Sequence, residues 1–355
     1  MTQIDKTNPV LVTGATGYIA GHIVKRLLDD GLTVHAAVRD PANAEKLKHL
    51  NGLAEETSGI IHYFKSDLLD VGSYADAMQD CELVFHTASP CILTVANPEK
   101  DLIEPARSGT RNVLEQAKQT KSVKRVVVTS SCGAVHGDNR DLQDSESDLF
   151  TEDDWNTTSS ATHQAYSYSK TLAERDAWRI AESQDRWDLI AINPTVVVGA
   201  GIKVHADAES FALIRRFGDG TMKAGVPDYG IGLVDARDVA EAHMKAAFTP
   251  SASGRYIVLA SNTSFPEIAR VLRDRFGDAW RFPKKTVPRW LVWLFGPLVD
   301  KTLSRKMVVR NVGYPFLADN SKSIRELGMN YRPIEESLTE LFQQMIDAGL
   351  ISKGL

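Results

Sequence analysis

Residues 165–174 read AYSYSKTLAE, with Tyr166 four residues before Lys170 and Tyr168 two before it. Each helical residue turns the chain by about 100°, so positions four apart lie within about 40° of one another and positions two apart diverge by about 160°. On a helix, Tyr166 and Lys170 therefore share a face, and Tyr168 points elsewhere as a packing residue. A phenol with an ordinary pKa near 10 keeps its proton at neutral pH. A lysine ammonium alongside stabilises the phenolate and lowers that pKa. Such a tyrosine can protonate a carbonyl oxygen that is becoming an alkoxide, or deprotonate an alcohol in the reverse direction. The run VVVTSSCGAV adds Ser130 and Ser131, hydroxyls that can polarise a carbonyl from the end of a strand.

Proton chemistry of this kind needs a hydride partner, and VLVTGATGYIAGH offers a place for one. Gly14 and Gly17 fall between a strand-like run and a helical one. The first permits a tight turn, and the second lets a pyrophosphate approach backbone N–H groups at a helix N-terminus. Ala20, followed by Gly21, occupies the third fingerprint position, where a small residue lets helix and strand pack closely. The second strand-like run, TVHAAVRD, ends on Arg39 and Asp40. An acid there accepts from a ribose 2′-hydroxyl, whereas an arginine accommodates a 2′-phosphate, so the local signal is ambiguous. A basic helix carrying Lys46 and Lys48 tips the balance toward NADP, although lysines on a solvated face are its bland competitor. Asp67 can accept from an adenine amino group or act as a helix N-cap.

The elements that must position these groups alternate. PVLVTG, TVHAAVRD, IIHYFKSDL, CELVFHTAS, VKRVVVTSS and DLIAINPT read as short strands separated by amphipathic helical stretches. That order predicts an α/β fold, a Rossmann-type doubly wound parallel sheet, because parallel neighbours require crossover connections. The alternation fades after Pro194. We therefore expect a dinucleotide-binding domain over residues 1–192, rejoined by a helix near 236–248, and a smaller, mixed substrate lobe over most of 193–355.

The 355 residues, 43% hydrophobic and 25% charged, can bury a core of that size. A net charge of −5 supplies no basic field for nucleic acid or anionic lipid. Three cysteines (Cys81, Cys91 and Cys132) without metal-ligand spacing indicate a reduced cytoplasmic chain and no metal site. The polar N-terminus has no signal-peptide pattern. The apolar run WLVWLFGPLV, residues 290–299, is about half the ~20 residues a membrane span requires and is expected to be a buried or cleft-lining helix.

Taken in order, VLVTGATGYIAGHIVKRLLDDG, AVRDP, FHTASP, RNVLE, VKRVVVTSS, YSYSKTLAE, NPTVVVGAG, DARDVAEAHMKAAF and SIRELGMNYRPIEESL resemble the extended short-chain dehydrogenase/reductase superfamily. The similar branch holds dihydroflavonol 4-reductases, cinnamoyl-CoA reductases and related aldehyde and ketone reductases. The resemblance implies that Tyr166 is the catalytic acid/base, that Lys170 holds the nicotinamide ribose, and that Ser131 rather than Ser130 is the catalytic serine. It further implies cofactor contacts from Gly14, Thr16, Gly17, Tyr18, Ile19, Asp67, Leu68, Thr87, Ala88, Ser89, Ser130, Pro194, Thr195, Val196 and Val197. Arg39 and Lys46 would grip the 2′-phosphate of NADPH. Residues 132–165 differ from the plant enzymes, residues 200–235 have no assigned counterpart, and the Trp and Cys that flank the catalytic Tyr of cinnamoyl-CoA reductases are absent.

The expectation is a soluble NADPH-dependent reductase acting on a small-molecule aldehyde or ketone, with no nucleic-acid or membrane partner, as a monomer or homodimer. Its rivals are an NAD-dependent nucleotide-sugar epimerase or dehydratase of the same superfamily, and a cofactor-sensing protein without catalysis.

Overall fold

The computed structural model describes residues 1–90, 95–144, 148–299 and 303–352. From the N-terminus, β1 (Val10–Thr13) leads into α1 (Tyr18–Asp29), β2 (Thr33–Val38) into α2 (Ala44–Glu55), and β3 (Ile60–Lys65) into the single turn α3 (Ala75–Met78). Next come β4 (Leu83–His86), a π-helical turn and α4 (Glu104–Gln119), then β5 (Arg125–Thr129), α5 (Ala165–Glu182) and β6 (Asp188–Pro194). The rest of the chain forms β7 (Val196–Val198), α6 (Glu209–Gly218), β8 (Val226–Pro227), β9 (Gly230–Asp235), α7 (Ala236–Phe248), β10 (Gly254–Val258) and β11 (Ser261–Ser264). It ends with α8 (Phe265–Phe276), β12 (Thr286–Val287), α9 (Arg289–Val299), α10 (Arg305–Asn311), α11 (Ser321–Leu327) and α12 (Ile334–Asp347).

Seven parallel strands form the main sheet in the order β10-β6-β5-β4-β1-β2-β3. Period-2 alternation explains why the central runs of its inner strands are apolar, since successive side chains face opposite buried layers. Val10, Val12, Phe85, Val127, Ile190 and Ile192 join α1, α2 and α7 in one core. Leu11, Val84, Val126, Val128, Leu189 and Ala191 join α4 and α5 in the other. The doubly wound α/β fold read from the sequence is the fold observed. Strand order reverses between β1 and β4, and in such sheets a ligand crevice opens there, beyond the carboxyl ends.

At the opposite end lies a residue the apolar pattern gave no hint of. Arg125 is fully buried, paired bidentately with Asp188 at 2.8 and 2.9 Å, and its Nη1 donates to the carbonyls of Ala246, Ala247 and Thr249 at the C-terminus of α7. A buried guanidinium is tolerated because its donors are matched to a carboxylate and to helix-end carbonyls.

The other strands form a sheet of β11, β9 and β7 and a short β12–β8 pair. A separate core lies beneath them, where Phe211, Phe217, Trp280, Phe282 and Phe342 meet Ile268, Leu272 and Leu338. One expectation needs correction. The run at 290–299 does form a helix, α9, but it is neither buried nor lining a cleft: Trp290 is 65% exposed and Leu298 83%. It rests on α10 through Val292, in a small cluster with Val308 and Val312, and one anchoring side chain cannot cover an apolar helix on all sides. Tyr168, expected to pack on another face, is half-buried. Cys81 and Cys132 are buried thiols, while Cys91 lies outside the described residues.

Candidate active site

The crevice at the carboxyl ends of β1 to β6 gathers almost every residue singled out from the sequence. At the end of β1, Gly14 adopts φ +62°, and a Cβ built there would stand 3.1 Å from Cα and Cβ of Ala88. Glycine is therefore required twice, for the left-handed turn and for the close approach of the neighbouring strand end. Gly17 N–H donates to the Gly14 carbonyl at 2.9 Å, closing the loop, and serves as N-cap of α1 with no side-chain cap and no acid in the first turn. Thr16, Gly17, Tyr18 and Ile19 thus form the positive, side-chain-uncapped start of a helix at the carboxyl end of β1, the kind of place where a pyrophosphate is held. The Tyr18 ring itself turns away. It packs on Phe211 and His205, and its hydroxyl donates to the Gly199 carbonyl.

Thr13 joins this loop to the end of β4. Its Oγ1 accepts from the backbone N–H groups of Thr87 and Ala88, both at 3.1 Å, so its own proton goes to His86 Nδ1 at 3.0 Å. His86 must then carry its proton on Nε2. Burial, and next the Lys170 ammonium, push its pKa down to about 3, so the ring is neutral at any ordinary pH. Ser89 closes the turn by accepting from Lys170 Nζ at 3.0 Å.

Lys170 is buried on α5, and its Nζ lies 5.8 Å from the centroid of the Tyr166 ring, the shared face that helical spacing requires. The serines at the end of β5 separate by role. Ser130 is buried and donates to Glu174, a carboxylate one turn beyond Lys170 on α5. Ser131 is half-buried and accepts from Gly133 N–H at 3.0 Å, which leaves its hydroxyl proton available to a ligand. Glu174 also accepts from Asn193 at 2.7 Å, Trp178 at 3.2 Å and Arg255 at 2.6 Å, locking β5, β6, β10 and α5 together beneath the crevice. Beyond β6, Thr195 N–H donates to the Val258 carbonyl at 3.2 Å, so Pro194 and Thr195 sit against β10, while Val196 and Val197 pair with β9.

At the far end of the crevice Arg39 is exposed at the end of β2, and Lys46 is exposed in the first turn of α2. Asp67 is not a helix N-cap: it accepts from Leu69 N–H at 2.9 Å within its own turn, and Tyr74 caps α3. The Leu68 carbonyl accepts from Asn112 at 2.9 Å, and its side chain lies against Gly109, where a Cβ would come within 2.3 Å of it.

Several site residues were not found in the sequence. Glu174 had a signal, its i+4 spacing from Lys170. His86 and Lys203 had none. Lys203, in the loop after β7, stands close enough to Lys46 that burial first, and then this like charge, lowers its pKa. Most consequential is a buried carboxylate, Asp138, beside the N-terminus of α5. It accepts from His163 Nε2 at 2.9 and 3.0 Å, Gln164 at 2.6 Å, Arg310 at 2.6 Å and Asn311 at 2.7 Å. Gln164 holds the unusual φ of +53° at the N-cap of α5, two residues before Tyr166. Such strain persists only where surrounding bonds over-determine it, and the Asp138 cluster supplies them.

The fit to a dinucleotide rests on the cradle at Gly14 and Gly17 and on the uncapped start of α1. The chain is similar to several known reductases. A cinnamoyl-CoA reductase of Medicago truncatula is 32% identical over 348 residues, covering 97% of this chain and 98% of that protein. Tetraketide alpha-pyrone reductase 1 of Arabidopsis thaliana is also 32% identical, over 98% of each chain. The structure of yeast methylglyoxal/isovaleraldehyde reductase Gre2 complexed with NADPH superimposes with a TM-score of 0.78 at 26% identity, over 97% of this chain and all of that one. The model of the NAD dependent epimerase/dehydratase family matches residues 10–260, and this chain belongs to that family.

Proposed function

We propose that this protein is an NADP-dependent oxidoreductase that reduces an aldehyde or ketone to an alcohol. What supports the reading is Lys170 Nζ 5.8 Å from the Tyr166 ring on α5, with Ser131 following β5 and the glycine loop following β1 at the carboxyl end of the same sheet. When bound, NADPH supplies the hydride. Gly14 and the start of α1 from Thr16 to Ile19 would hold its pyrophosphate, and Arg39 and Lys46 would hold the 2′-phosphate. Asp67 and Leu68 would hold the adenine, Thr87, Ala88, Ser89 and Ser130 would support the cofactor from below, and Pro194 to Val197 would hold the nicotinamide.

Ser131 donates to the substrate oxygen and fixes its direction, as a preorganised donor should where negative charge develops. Tyr166 delivers its proton to that oxygen. Lys170 favours the resulting phenolate and is itself held in place by Ser89. The plant and yeast relatives are reductases by name, which supports carbonyl reduction over the epimerase reading. The test is consumption of NADPH, and of NADH in parallel, with a panel of aldehydes, ketones and diketones. Turnover that prefers NADPH is expected; cofactor binding with no turnover on any carbonyl would sink the proposal.

A further inference from the structure

The apolar surface of α9 and its surroundings have no part in the chemistry above. Trp290, Trp293, Leu294 and Leu298 follow i, i+3, i+4, i+8 spacing, so they share one helical face, and all are exposed at 40–83%. Phe295 and Val299 extend that face at 51% and 77%. Contiguous apolar exposure of this kind marks a contact surface.

Charge selects the occupant. Between residues 279 and 318 the sequence has eight Lys and Arg and one acid, Asp300, in a chain of net charge −5. Lys284 is paired with Asp278, and Arg310 turns inward to Asp138 and Asp141. Lys285 and Lys306 are exposed on the segments that flank α9 in sequence, and Arg305 is stacked on Trp293, 4.8 Å from the ring centroid. A second copy of the chain docking on this face would set two basic rims against each other. A protein partner would find few hydrogen-bonding groups, since the six exposed side chains of the helix offer only two indole N–H donors, whereas protein interfaces carry about one hydrogen bond per 100–200 Å². Anionic lipid matches both features: headgroups meet the cations, and the acyl boundary takes tryptophan, phenylalanine and leucine. The helix of 11 residues is too short to span a bilayer, so it lies in the interface.

We propose that α9 and its basic rim dock this protein on the surface of an anionic membrane. The test is co-sedimentation of the full chain with phosphatidylcholine vesicles and with vesicles containing 30% phosphatidylglycerol. The reading is independent of turnover, so it stands or falls apart from the carbonyl panel. Expected are binding to the anionic vesicles, at least tenfold weaker in 0.5 M salt, and little binding to the neutral ones. The pair Trp290→Ser and Leu298→Ser should abolish it, and Lys285→Glu with Lys306→Glu should weaken it tenfold or more. Retained NADPH affinity would show that these variants fold. Absence of vesicle binding overturns the proposal, as does binding that none of these variants changes. So does a wild-type dimer, seen by analytical ultracentrifugation, that the Trp290 and Leu298 pair dissociates while vesicles fail to bind.

Discussion

Lys170 stands behind Tyr166, its ammonium 5.8 Å from the centre of the phenol ring and hydrogen-bonded at 3.0 Å to Ser89. The lysine thus reaches both the acid and the turn beneath the proposed nicotinamide. Replacing Tyr166 by Phe removes the proton donor and leaves the ring, the helix and the lysine. Turnover should fall by about 10²–10⁴, the usual worth of a positioned acid. NADPH affinity, read by fluorescence titration, should change less than about threefold. A Tyr166→Phe enzyme that retained its kcat would refute the assigned role.

Arg39 offers an exposed guanidinium just beyond the end of β2. Its proposed partner, a 2′-phosphate, exists in NADPH and not in NADH. Arg39→Ala should therefore raise the dissociation constant for NADPH by about 10–100-fold, the worth of one charge-assisted hydrogen bond or more. The constant for NADH should stay nearly constant. Equal losses for the two cofactors would show that Arg39 does not read the phosphate.

The two serines make opposite predictions. Ser131→Ala deletes a donor to the substrate oxygen and should lower kcat by about 10²-fold or more with an unchanged melting temperature. Ser130→Ala removes one of the donors to the buried Glu174 carboxylate, which is only 3% exposed. That should cost about 1–3 kcal/mol of stability, as hydrogen bonds to buried charges do, with kcat reduced less than in Ser131→Ala. Thermal melts set beside steady-state rates separate the two; matching profiles would contradict the division of roles.

What the sequence made legible was what is local and periodic. Helical spacing paired Tyr166 with Lys170, β-branched runs separated by helices implied the doubly wound sheet, and a glycine loop between strand and helix implied a phosphate cradle. Contacts between distant segments left no such trace. Asp138 meets Arg310 and Asn311 across more than 170 positions, and Arg125 finds its carbonyl partners at the far end of α7. The length of WLVWLFGPLV excluded a membrane span, but length does not reveal how much of a helix its neighbours cover. Covering α9 would take more than the small cluster around Val292 supplies among the described residues.

Asp138 joins stability to chemistry and so is the most informative acid to alter. Burial would raise its pKa, but hydrogen bonds from His163 and Asn311, with the Arg310 guanidinium, hold it down at about 2. A folded pKa below the unfolded value near 3.9 contributes stability that is fully present above about pH 4 and is lost as pH falls through about 2. The shift corresponds to about 2–3 kcal/mol at neutral pH. Asp138→Asn should therefore melt well below the wild type between pH 5 and 8, and the gap between the two curves should narrow as pH falls toward 2. The same substitution loosens the bonds that hold Gln164 in its strained cap, two residues before Tyr166. We expect kcat to drop about tenfold while the dissociation constant for NADPH, whose proposed cradle the cluster does not touch, stays within about threefold. A gap that does not change with pH would deny the carboxylate its charge, and an unchanged kcat would deny it any part in positioning the tyrosine.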